Sequence, residues 1–463
     1  VLRGDLEGHS FRAAGASAVE LIARQNDPCS AGGTFEVIND ADVSLDPAGT
    51  VGFDGACARG QGAFSSERGQ PALPIALPED ATPLGAGFSF RQPSLAGSGK
   101  VAFLGTRRAL HELRCETTRC AEPTTLAGPL DPAPDLSGDR LGDLIEGTIA
   151  GGRDRFVFVT KTLGADRREA LVEWRRGVLR KVAAQGEEAP GEGGTFTSLQ
   201  FPTFIGSEQN RPAVSGSTTA FLARVQRGWG IFANRKGTLA ELARWLGPAP
   251  DNRVFAGSFS NPSVWRDRVA FVADSCVAEP NTDLCSRCVF LSRGAGAALE
   301  PVACSGDEVP GVGRLDAVVS APALAGRRVF FWASMKEQPD ARPSWCLLEL
   351  AGGRLTVIAR THDPLPGGAT VEKFGGASDL GSLVASGTRV ALQTGLSNGQ
   401  DETTGLLVFR HGEIIPIVAN DPTASPAFEA FTAYSLLSRT LAFRAELYSS
   451  PRRVAIFRAA LPP

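Results

Sequence analysis

Acidic residues recur beside proline and glycine along this chain, and they are the first place to look for chemistry. Asp27 precedes Pro28, Glu187 lies in the turn 186–191, Asp307 in 306–311, Asp363 in 363–367, and Asp421 precedes Pro422. Carboxylates converging at one mouth would supply the acid and base needed to cut a polysaccharide. The commoner use of an acid in such a turn is to accept a local backbone amide. A second acidic run, Asp131, Asp135, Asp139 and Asp143, offers oxygen ligands at calcium-like spacing, centred on Asp135, Asp139 and Asp143. Arg140 stands where an EF-hand loop needs glycine, so the run reads first as another turn.

Other reactive groups are sparse. The four histidines, His9, His111, His362 and His411, form no HxH or HExxH spacing. No GxSxG elbow accompanies them, and no glycine-rich turn leads into a phosphate-loop Lys-Ser/Thr pair. No catalytic residue is assigned on these grounds, and no cofactor is expected. Of the six tryptophans, Trp229, Trp245, Trp265 and Trp345 lie in or near loops, where an indole can stack on a sugar or close a packing gap. Trp229 and Trp265 are the leading binding candidates.

Nine cysteines accompany them. Cys115 and Cys120 flank a likely hairpin mouth, Cys276 and Cys285 bracket a loop, and Cys288 and Cys304 lie symmetrically about a turn near Gly294. Cys29 and Cys57 would tie the first turn to the end of a strand. These spacings predict four disulfides, with Cys346 left over, free or pairing between chains. A zinc site using the CxxC of Cys285 and Cys288 is the alternative. Disulfides imply an oxidising compartment.

The elements that must position these groups repeat. A short apolar segment ending in alanine returns at Ala23, Ala76, Ala127, Ala183, Ala243, Ala303, Ala359 and Ala419, about 50 to 60 residues apart. An acidic Pro/Gly turn follows each. A strand marker comes about thirty residues later, at Phe53, Phe103, Phe158, Phe221, Phe271, Phe331, Leu392 and Phe443. A third apolar marker then precedes a hairpin turn such as Arg235-Lys236-Gly237. With the GGTF-like segments ending at Phe35 and Phe196, each unit holds about four strands. The chain is therefore expected to be all-β: a β-propeller of about eight four-stranded blades, seven or nine being the neighbouring counts, in one domain over 1–463. Strand 19–23 is expected to complete the C-terminal blade and close the ring.

Segments 186–197, 261–271 and 361–368 resemble a family of bacterial tandem-repeat proteins carrying NxxGxxAF-type and GDPxPG-type segments. The likeness extends over nearly the whole chain. It implies a repeat-built, surface-associated protein and no particular reaction.

Composition narrows the partners. A net charge of −3 gives no general attraction to nucleic acid, and no apolar run is long enough to span a membrane. Only six of the 47 basic residues are lysine, a bias of high-GC bacterial chains. The chain starts at Val1 and its one methionine is Met335, which fits removal of a leader and a secreted, cell-surface or periplasmic location. The leading expectation is a non-catalytic module recognising protein or glycan through one propeller face. A polysaccharide hydrolase or lyase, or a structural subunit of a surface assembly, are the alternatives. The sequence leaves the oligomeric state open.

Overall fold

The computed structural model describes residues 19–39, 43–77, 89–95, 100–107, 110–117, 124–127, 131–136, 138–145, 148–152, 155–164, 166–199, 211–277, 285–294, 297–309, 312–318, 320–336, 343–365, 368–374, 383–397, 402–410, 413–419, 428–447 and 453–462. Among them are forty strands and no helix. The strands pair into eight antiparallel sheets, taken in chain order as the first to the eighth: residues 37–76, 89–127, 141–184, 196–244, 248–304, 308–360, 370–419, and 428–460 with 19–24. Within each sheet the long strands lie side by side in chain order, with strand 19–24 added at one edge of the eighth, which is the blade pattern of a β-propeller. By compactness the chain divides into two units. One holds the first, second, third and eighth sheets, and the other holds the fourth, fifth, sixth and most of the seventh.

The apolar markers of the sequence become one recurring cluster. In the first, fourth, fifth and eighth sheets a phenylalanine of the second long strand lies directly opposite one of the third: Phe53 with Phe64, Phe221 with Phe232, Phe271 with Phe290, Phe443 with Phe457. The rings stack at centroid distances of 5.7, 5.8, 5.7 and 5.2 Å. A third ring, Phe35, Phe196, Phe255 or Phe428, meets the third-strand ring edge-on. Edge-on and offset contacts are the arrangements the ring quadrupole favours. The short GGTF-like segment thus supplies the lid of two of these clusters, through Phe35 and Phe196.

The turns into the first, fourth, sixth and seventh sheets also share one construction. The residue before the turn acid donates its amide to the carbonyl of a residue eight or nine positions past the acid, and that residue donates back to the acid's own carbonyl. The pairs are Asn26 and Asp27 with Phe35, Gly186 and Glu187 with Phe196, Gly306 and Asp307 with Leu315, and His362 and Asp363 with Val371. The turn is therefore locked to the first long strand of the sheet that follows.

Two buried arginines bolt neighbouring sheets together. Arg235 of the fourth sheet donates to the Asp267 carbonyl and to Ser292 Oγ of the fifth. Arg458 of the eighth donates to the carbonyls of Gly49 and Ser66 in the first sheet, at 2.9 and 3.2 Å, and to that of Glu67. Both reach equivalent places, the turn before the second long strand and the end of the third. Burial lowers the Arg235 pKa, and the Asp267 carboxylate opposes the shift.

The expected pairing of the chain's two ends is present. Strand Val19–Arg24 runs antiparallel to Arg453–Ala460, with Glu20 opposite Arg458. The Glu20 carboxylate takes two further hydrogen bonds from the Arg458 guanidinium.

Three of the expected disulfides form: Cys29–Cys57, Cys276–Cys285 and Cys288–Cys304. The last two are directly opposed cross-strand pairs, which takes both CxxC sulfurs away from any zinc site. The Cys115–Cys120 pairing lies outside the described residues. Cys346 is buried in the sixth sheet with no exposed surface, a position from which its thiol does not reach another chain.

Two outcomes follow. Arg458→Ala strips charge-assisted bonds from three carbonyls and leaves Glu20 with the Gly69 amide in place of its ion pair; it should lower stability by about 3 kcal/mol, read by urea unfolding, with Arg458→Lys recovering only part because an ammonium lacks the fork. Replacing Cys29 and Cys57 together by serine opens a loop closed across 28 residues. On the loop-entropy account this should cost about 3–4 kcal/mol, read as a lower thermal midpoint that reducing agent does not lower further through this bridge.

Candidate functional site

The turn acids are engaged locally. Glu187 Oε2 accepts the Ala184 amide at 3.1 Å, Asp307 Oδ2 the Cys304 amide at 2.7 Å, and Asp363 Oδ2 the Arg360 amide at 2.6 Å. Asp27 Oδ1 accepts from the Arg24 guanidinium. Each carboxylate thus serves the residue three positions earlier in its own turn. Asp421 lies outside the described residues. His362 is an exposed turn residue with positive φ, its Nδ1 3.6 Å from Glu372 Oε1.

In the 131–143 run, Asp139 Oδ2 accepts from Arg168 Nη2 and Thr162 Oγ1. Asp135 receives Lys181 Nζ on its carbonyl, and Asp143 receives Thr160 Oγ1 on its carbonyl. Among the described residues no three His, Cys, Asp or Glu side chains gather as metal ligands do.

The two tryptophan candidates part company. Trp265 ends the short strand Ser263–Trp265 and packs, half-buried, against the core shared by the fifth and sixth sheets. Its role is packing. Trp229 packs in the same way against the core shared by the fourth and fifth sheets, and it also lines a cleft of about 920 Å³ between them, within the second compact unit.

This cleft forms where one turn departs from the repeat. In the four turns described above, the two residues before the acid are Gln25-Asn26, Gln185-Gly186, Ser305-Gly306 and Thr361-His362. The second of each pair has positive φ, at 72°, 85°, 100° and 70°. In the turn from the fourth to the fifth sheet those places hold Trp245 and Leu246, and Gly247 replaces the acid. The backbone bonds persist, since Leu246 donates to the Phe255 carbonyl and Phe255 to that of Gly247. The capping carboxylate is gone, and a leucine sits at φ 58°, where a β-carbon costs about 1 kcal/mol. Nothing in the fold requires either change.

What the change provides is an exposed apolar surface. Trp245 and Leu246 are 38% and 59% exposed at the cleft wall. The Trp245 amide bonds the Trp229 carbonyl at 2.8 Å, tying the two indole-bearing residues together. Gly228 makes room for the second indole: a β-carbon there would stand 2.6 Å from Trp245 Cε3.

Charged groups complete the wall. The Arg224 guanidinium carbon lies 5.6 Å from the centre of the Trp229 ring, a cation–π contact. Arg227 and Arg224 are exposed, whereas Arg244 is 6% exposed. Arg244 Nε stands 3.3 Å from Glu241 Oε1, and Nη2 3.8 Å from Glu192 Oε2. Burial pushes the Glu241 carboxyl above the usual carboxylate range; Arg244 pulls it back and the Glu192 charge adds to the rise. Sequence reading named Trp229 and missed the arginines and Trp245's part, because only repeat-by-repeat comparison marks the 244–247 turn as aberrant.

Similar solved structures include a puromycin-hydrolysing peptidase of Mycobacterium tuberculosis, at 14% identity and TM-score 0.40, over 88% of this chain and 57% of that one. The β-propeller domain of the trilobed protease of Pyrococcus furiosus matches at 10% and 0.39, over 83% and 96%. The polysaccharide lyase Uly1 matches at 9% and 0.39, over 96% and 99%. Those activities belong to those proteins. No curated protein matches the chain. A model of the family of unknown function DUF7453 matches residues 5–244, 152–277 and 215–451, and the chain belongs to that family.

Proposed function

We propose that this protein is an extracellular binding module that takes a saccharide in the cleft between its fourth and fifth sheets. The observation that carries the reading is the Arg244–Gly247 turn. It gives up a capping acid and accepts a strained leucine, and in return presents an exposed indole beside a second one. Flat aromatic faces flanked by guanidinium and amide donors suit a sugar ring, which offers C–H groups on one face and hydroxyls around its rim. The polysaccharide-cleaving alternative rested on the turn acids, and four of these are occupied inside their own turns.

The three disulfides are consistent with an extracellular location, and no helix among the described residues is long and apolar enough to cross a membrane. A surface or periplasmic site in a high-GC bacterium, and one propeller domain of eight blades built on the eight sheets, belong to the same proposal.

Trp245→Ala should weaken oligosaccharide binding about tenfold or more, in keeping with loss of a stacking platform, while the thermal midpoint stays within a degree or two. Calorimetric titration with a panel of neutral and acidic oligosaccharides reads the first quantity and scanning calorimetry the second. Unchanged affinity in the variant, or no binding by any sugar up to millimolar concentration, overturns the reading. Leu246→Gly tests the strain separately. It removes the β-carbon cost at positive φ, so stability should hold or rise by up to about 1 kcal/mol while saccharide affinity falls.

A further inference from the structure

We infer that the saccharide is an acidic one, whose carboxylate is held by the guanidinium group of Arg244 together with Arg224 and Arg227. This rests on the saccharide reading of the cleft and adds the charge of the ligand to it. The cleft lining carries these three guanidinium groups and the Glu192 carboxylate, with Glu241 paired to Arg244 beside it, so cations outnumber carboxylates here while the chain as a whole has a net charge of −3. The local excess of positive charge therefore runs against the protein's own balance.

Arg244 is the centre of the argument. A guanidinium that is 6% exposed has lost most of its water and needs acceptors in exchange. Its Nε is buried without a hydrogen bond, and so is Glu241 Oε2 across from it. The contact with Glu192 is long at 3.8 Å, and that side chain is 84% exposed, so water competes for it. Arg244 Nε is ion-paired with Glu241 at 3.3 Å, and the Nη2 edge, beside the exposed Glu192, is the one offered to a cleft of sugar size. A planar carboxylate matches the guanidinium fork with two parallel bonds, a fit that a hydroxyl does not offer. Arg227 and Arg224, both exposed at the same wall, add attraction that salt will screen. Glu192 competes with the ligand for Arg244 and guards the cleft against partial occupancy.

The test uses oligosaccharides of galacturonate, glucuronate, mannuronate and guluronate, each titrated beside its own methyl ester, which keeps the sugar and removes the charge. At least one acid form should bind ten times more tightly than its ester or better, with the advantage shrinking as salt is raised from 0.05 to 0.5 M. Arg227→Ala, at an exposed position, should lower affinity for the acid several-fold more than affinity for the ester. Glu192→Gln should raise affinity for the acid more than affinity for the ester. Arg244→Lys keeps the charge without the fork and should lose most of the acid-over-ester preference. Equal affinity of acid and ester, or binding by esters and neutral sugars alone, overturns the inference and leaves the saccharide reading standing. If no sugar binds in either form, both fall.

Discussion

Thin antiparallel sheets with two faces to bury set the terms for this molecule, and the phenylalanine trio is how four of its sheets meet them. A stacked pair across the second and third long strands holds those strands in register, because a slip of one residue would turn both rings to the opposite face. The third ring, edge-on to the pair, brings in the first long strand, whose ladder in the fifth sheet is broken by a bulge between Ala256 and Phe259. Phe35, Phe196 and Phe255 also take part in the reciprocal backbone bonds of the preceding turn. One residue therefore joins the hydrophobic cluster to the chain reversal, and sheet and turn are built as a unit. Where the ring is replaced, as by Leu315 and Val371, the backbone bonds remain, and Leu315 packs in a largely aliphatic core with Phe331.

That constraint explains why so many polar residues that look reactive are not. A chain reversing after every fourth strand leaves backbone amides to satisfy at each outer edge, and a short carboxylate three residues on is the nearest acceptor. Sheets laid side by side leave carbonyls facing one another at their ends, and a guanidinium spans several at once. Arg235 and Arg458 do this from different positions on their strands, so the requirement attaches to the target carbonyls and not to a fixed place in the repeat.

The repeat itself was readable in the sequence because its signals are local: an alanine closing a strand, a Pro/Gly turn, a Val-Ala-Phe strand. Cysteine spacing gave the Cys276–Cys285 and Cys288–Cys304 pairings for the same reason, since strands that face each other across a hairpin are close in sequence too. The cleft was not readable. It depends on side chains from the second, third and fourth long strands of one sheet and the first of the next, separated by up to sixty-seven residues between Glu192 and Phe259. Trp265 and Trp229 both pack against a core between sheets, yet Trp229 also borders an open space, a difference made by packing between sheets. The segment Ala243–Pro248 resembles any other turn until it is laid beside its counterparts.

Strand Val19–Arg24 is separated from its partner by more than 430 residues, and this has a consequence for how the protein is made. During synthesis strand 19–24 emerges with its hydrogen-bonding edge open, and its partner exists only once strand 453–460 follows. Glu20 meanwhile waits for Arg458. The eighth sheet therefore cannot close in the order in which its strands appear, and seven other sheets are made between its two parts.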